Sequence, residues 1–218
     1  MEREADAAAS LTMLRGFYGA GETLKSDLPP ELYRRVLQRA TQLGIPAASV
    51  VQMRPWLLAL TISILAASAA SFEPSIGIDA YLLNRSAGKH VSALETAEFQ
   101  IGLFSGLPMA LQACMLEESA DADVASVERL LELWRAGDAQ QLGALMHDAL
   151  AHPDGEALYQ VIFVERNRQM AATVERLLAD VENYLVVAPG IRHFLGPDNV
   201  LRLLECAGFP TVRLSGMR

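Results

Sequence analysis

Lysine occurs at only two positions in this 218-residue chain, Lys25 and Lys89. The arginines are scattered, mostly over helical stretches, and the formal net charge is −8. Nucleic-acid binding needs clustered cations that displace counterions, so this charge pattern argues against it. Cysteine is as scarce: Cys114 and Cys206 stand far apart, with no Cys-x-x-Cys spacing. That excludes a zinc knuckle and a disulfide framework. Their apolar neighbours make both read as small buried hydrophobes. The first residues, Met1-Glu2-Arg3-Glu4-Ala5-Asp6, lack the basic start and apolar run of a secretory signal. As written, the chain would stay in the cytoplasm. One uncharged run needs weighing, Trp56 to Phe72, 17 residues, at the lower edge of what spans a bilayer. Its five alanines, three serines and one threonine make it less apolar than a Leu-rich span. It reads as a buried core or interface helix, with a membrane helix as the alternative.

Several catalytic signatures are missing too. There is no His-Glu-x-x-His, no dinucleotide or P-loop glycine pattern, and no nucleophile elbow. What is present is a chain 51% hydrophobic, enough to exclude disorder and to fill one domain. Apolar periodicity predicts helices over 1–18, about 30–43, 56–72, 79–87, 95–118 with a bend near Pro108, 121–135, 139–150, 156–182 and 199–207. Period-two patterning predicts short strands near 90–94, 183–187 and 211–214. The expected fold class is α+β: mainly helical around a small mixed sheet, with too few strands for so much helix.

Five residues stand out. His193 lies in a turn between a predicted strand and a predicted helix, where α/β sheets place ligands. It could be a metal ligand or a general acid/base, or simply a turn histidine bonded to backbone. Asn167 falls inside the apolar stripe of the 156–182 helix, formed by Phe163, Val164, Met170, Ala171, Val174, Leu178 and Val181. A buried amide without a partner costs on the order of 1–3 kcal/mol, so Asn167 should have a specific partner, functional or merely backbone. Arg166 and Arg168 lie about 100° to either side of it. Glu95 stands where a predicted strand meets a helix. The helix dipole alone accounts for a carboxylate there, and a metal-binding carboxylate would sit there as well.

Taken in order, several stretches resemble the TraB/GumN family, related to the TIKI proteases and the erythromycin-esterase and ChaN-like proteins. They are Thr23-Leu-Lys-Ser-Asp-Leu-Pro-Pro-Glu-Leu-Tyr, Met53-Arg-Pro-Trp-Leu-Leu-Ala-Leu, Gly77-Ile-Asp-Ala-Tyr-Leu-Leu, Gly88-Lys-His-Val-Ser-Ala-Leu-Glu-Thr-Ala-Glu-Phe-Gln, Glu165-Arg-Asn-Arg-Gln-Met and Gly190-Ile-Arg-His-Phe-Leu-Gly-Pro-Asp. The resemblance implies a metal-dependent hydrolase, a peptidase among the options, that takes a divalent metal and a peptide or ester substrate. It makes Gly190 and His193 the second of two Gly-x-x-His motifs, with Ile191 and Arg192 in place of the small middle residues. It gives metal-ligand roles to His193, Glu2 and Glu95, and substrate or oxyanion roles to Arg166, Asn167, Asp79 and Gly190. Met1-Glu2 resembles the tail of a strand. The first Gly-x-x-His is absent, so the chain is expected to be one domain shortened at its N-terminus, and impaired. Family members are often exported or membrane-tethered. The competing expectation is a non-catalytic interaction domain that dimerises through helix 56–72 and an open sheet edge.

Overall fold

The computed structural model describes residues 2–70, 77–148, 152–180, 187 and 189–214. These form thirteen α-helices, and no strand is among them. The chain begins with α1 (Glu2–Gly16), α2 (Leu24–Asp27), α3 (Pro30–Gln42), α4 (Ala47–Gln52) and α5 (Pro55–Ala69). Pro30 and Pro55 open their helices at the first turn, where a missing N–H costs nothing. Gly44, at φ +84°, closes α3 in a left-handed conformation that other residues avoid. Next come α6 (Ile78–Leu83), α7 (Ala97–Gly106), α8 (Met109–Asp121), α9 (Val124–Ala136) and α10 (Ala139–Asp148). The helices α7 and α8 meet at a 104° bend, where Pro108 cannot continue the first of them.

The main core lies where α2, α3, α4, α5 and α8 converge. Leu24, Val36, Val50, Leu58, Ile62 and Leu116 are fully enclosed there. The described part of the apolar 56–72 segment is therefore a core helix: α5 buries Trp56, Leu58, Ala59, Ile62 and Ala66. No single helix among the described residues is long and apolar enough to cross a membrane.

The expected α+β class is wrong: among the described residues the fold is all-α. Residues 90–94 are irregular and Val91 is exposed. Residues 211–214 are also irregular, with Val212 81% and Leu214 75% exposed. Alternating apolar residues favour extended backbone, but a strand needs a partner to satisfy its ladder, and neither segment has one. Of the expected strand 183–187, all but Val187 lies outside the described residues. The only β pairing described is an isolated antiparallel bridge between Phe17 and Met53. Glu2 opens α1 instead of ending a strand. The described residues hold no sheet and so offer no open edge.

The C-terminal third consists of α11 (Gly155–Tyr159), one π turn (Gln160–Val164), α12 (Glu165–Asp180), a 3₁₀ turn (Ile191–Phe194) and α13 (Val200–Cys206). In an unbroken α-helix, every fourth residue drifts about 40° around the axis. Leu158, Ile162, Arg166, Met170 and Val174 would then span about 160°. All five are buried, between 3% and 8% exposed. The extra residue in the π turn absorbs about 100° of that drift and narrows them to a seam about 60° wide. The seam's first half packs with Leu107, Leu111 and Cys114. Its second half packs with Val200 and Leu204 of α13.

Candidate functional site

The site grows from the turn after α12. The His193 N–H donates to the Gly190 carbonyl at 3.0 Å, which winds residues 191–194 into a 3₁₀ turn. Gly190 is needed there for its carbonyl; a side chain at its position would meet only ordinary contact with His193. The turn drops the His193 ring into the protein, 6% exposed, against the tilted ring of Phe163 with centroids 5.7 Å apart. Asn167, 1% exposed, reaches it from α12.

The geometry fixes the proton. Asn167 Nδ2 donates at 2.7 Å to the Asp198 carbonyl, which can only accept. Asn167 Oδ1 therefore faces His193 Nδ1, 2.6 Å away. An amide oxygen only accepts, so Nδ1 carries the hydrogen. In the neutral ring, Nε2 then holds the lone pair. Burial lowers the His193 pKa below the ordinary imidazole value, and the nearby charges of Arg166 and Arg192 add to this while Glu95 opposes it. The ring is neutral at pH 7.

Beside this pair lies an ion pair. Arg166 Nε donates to Glu95 Oε1 at 2.7 Å and Nη2 donates to Oε2 at 2.6 Å. Both side chains are almost fully enclosed, 10% and 5% exposed. Arg166 Nη1 also donates to the Ile162 carbonyl at 3.1 Å, and Gln100 Nε2 to Glu95 Oε2 at 3.0 Å. Burial alone would raise the Glu95 pKa, but the bonds from Arg166 and Gln100 and the Arg166 charge hold it below the usual carboxylate range. The capping role that Glu95 could have filled belongs to Thr96, whose side chain accepts from the Phe99 N–H.

So the structure brings together His193, Asn167, Arg166 and Glu95. Asp79 does not join them: it is exposed in the first turn of α6 and makes no hydrogen bond to any of the four. The Glu2 side chain lies outside the described residues. Arg168 faces solvent. Arg192 lies over the Phe163 ring at 4.3 Å, and burial lowers its pKa. Sequence reasoning missed the Asp198 carbonyl, which no side-chain pattern reveals, and the contact of Phe163 with His193. Cys114 is buried as expected, whereas Cys206 is exposed.

A divalent metal fits these residues poorly. A protein site supplies three or four His, Cys, Asp or Glu donors. Among the described residues no three such side chains converge. In the cluster, Glu95 is closed on Arg166 and His193 Nδ1 on Asn167, leaving only Nε2.

Residues 1–213 match the TraB/PrgY/gumN family, and the chain belongs to it. It is 29% identical over 250 residues to the metalloprotease TIKI homolog of Amphimedon queenslandica, an alignment covering 89% of this chain and 48% of that protein. The chain thus spans about half the length of the curated relative it matches. No solved structure matches it.

Proposed function

We propose that the chain carries a hydrolytic centre for peptide or ester carbonyls, in keeping with the metalloprotease that its relative's name denotes, and that His193 is the group that moves the proton. The observation that carries this is the orientation of the ring. Nδ1–H is tied to Asn167 and Nε2 keeps its lone pair, so the neutral imidazole accepts a proton from attacking water at one defined atom. As the ring charges, Asn167 Oδ1 takes a stronger bond from Nδ1–H, which stabilises the imidazolium. Positioned bases of this kind contribute about 10²- to 10⁴-fold to a rate. A metalloprotease uses its metal to polarise the carbonyl and activate water. The donors described here do not make such a site, and the proton step needs only His193 and Asn167.

The test is hydrolysis of peptide and ester substrates by the purified chain, with Zn, Mn or Co measured in the same preparation, against His193→Ala and His193→Gln. A loss of about 100-fold or more in both variants is expected. Turnover that survives both substitutions would remove His193 from the chemistry.

A non-catalytic interaction domain is the second reading, and α6 favours it. Ile78, Tyr81 and Leu83 are all exposed and the helix buries no residue. A second copy covering the side of α6 that Ile78 and Tyr81 share would give a dimer that Tyr81→Lys weakens. Monomeric elution at high protein concentration would count against it.

A further inference from the structure

The family resemblance gives Glu95 to a metal and Arg166 to a substrate, but the structure joins them to each other. Each carboxylate oxygen of Glu95 accepts one arm of the Arg166 fork, and Oε2 also accepts from Gln100. A metal bound through Glu95 would have to displace a guanidinium that is itself enclosed and would be left unpaired. Breaking one side of a buried pair costs about 3–5 kcal/mol, which is 100-fold or more in metal affinity.

The pair has a second consequence. Arg166 immediately precedes Asn167 on α12, and both are buried. Glu95 pulls on Arg166 from the loop before α7, whose Leu94 packs against the α12–α13 cluster. The guanidinium donates twice to Glu95, at Oε1 and Oε2, which ties α12 at residue 166 to the loop before α7, while its bond to the Ile162 carbonyl one turn back steadies the side chain against its own helix. That tie sets where Asn167 points, and Asn167 sets which nitrogen of His193 carries the proton.

We infer that Glu95 is not a metal ligand but a positioning residue, acting through Arg166 and Asn167 to hold His193 in the Nδ1–H form. This goes beyond the hydrolytic assignment and does not depend on it, because its readouts are a spectrum and a binding curve.

Two measurements on the whole chain test it. Long-range ¹H–¹⁵N spectra of the imidazoles report the tautomer of His193. The wild type is expected to show Nδ1–H with an unprotonated Nε2. Glu95→Ala and Arg166→Met are expected to populate the Nε2–H form and to lose protection of the Nδ1 proton by about tenfold or more. Glu95→Gln keeps one acceptor for Arg166 and should retain most of the wild-type signature; it also covers the case in which the alanine variant does not fold. The second measurement is titration with Co²⁺ alone. Wild type and Glu95→Gln are expected to bind it alike, within about twofold, a difference under 0.5 kcal/mol. A tenfold weaker Co²⁺ affinity in Glu95→Gln, or an unchanged His193 tautomer in a folded Glu95→Ala, would overturn the inference.

Discussion

Asn167 holds His193 by a single 2.6 Å contact, and the Asp198 carbonyl holds Asn167 in turn. The amide can serve both only because it has one accepting and one donating end. Asn167→Ala leaves the Nδ1–H and a carbonyl without partners in an enclosed space. A destabilisation of about 2 kcal/mol is expected by denaturant titration. Asn167→Asp keeps the shape but places a carboxylate on Nδ1–H, so the His193 pKa should rise. It also sets that carboxylate against the Asp198 carbonyl, so stability should still fall. A His193 titration curve unmoved in Asn167→Asp would mean that the contact does not exist in solution.

The depressed His193 pKa sets a sign for stability against pH. Burial, the largest cause, makes the folded chain take up this proton less readily than the unfolded chain does. Below about pH 6.5, the unfolded imidazole value, the unfolded state binds more protons, so stability falls as pH falls toward the folded pKa. His193→Gln removes that contribution. Denaturation midpoints taken from pH 7.5 down to 5 should show a shallower decline in the variant. Glu95 works in a lower window: its folded pKa is depressed, so its stabilisation is complete above its ordinary value and is lost as pH falls below it.

Much of this arrangement was legible in the sequence. The helices fell close to where apolar periodicity and the prolines put them, and Asn167 was expected to have a specific partner because it interrupts an apolar stripe. The partner itself was out of reach: His193 is 26 residues away, and Glu95 lies 71 residues from Arg166. Local pattern cannot pair groups at such distances. The strands failed for a related reason. Alternation at 90–94 and 211–214 describes an extended backbone, while a sheet is a relation between segments. A constant turn of about 100° per residue also fails at Gln160–Val164, where the helix winds more slowly, so α11 and α12 do not share one helical phase. Leu178, counted in the stripe, is exposed, while Arg166, placed on its flank, is enclosed.

The two cysteines should separate cleanly by reactivity. Cys114 is enclosed, and burial, with the charge of Glu118 beside it, pushes its thiol up to about 12. The thiolate is the reactive form, so Cys114 should be inert at pH 8. Cys206 is exposed at the end of α13. A thiol reagent should count one cysteine in the folded chain and two in denaturant, and Cys206→Ser should abolish the folded-state reaction. Reaction of both thiols without denaturant would show that α8 is not packed as described.

The π turn makes a prediction of the opposite kind, a deletion that should be tolerated. It holds one residue more than an α-helix of the same rotation, so removing Val161 lets the segment wind as plain α-helix with both flanks still in phase. Leu158 and Ile162 stay near the Leu111 cluster, and Met170 and Val174 stay on α13. Removing Gln169, an exposed residue of α12, has no such remedy. The phase error of about 100° then falls between Asn167 and Met170, and either the His193 contact or the α13 packing is lost. Circular dichroism melts and the His193 imidazole spectrum should therefore rank the two deletions, with the solvent-facing Gln169 the more damaging. If losing Val161 proved worse, the extra residue would not be what narrows the seam, and the burial of Arg166 would need a different cause.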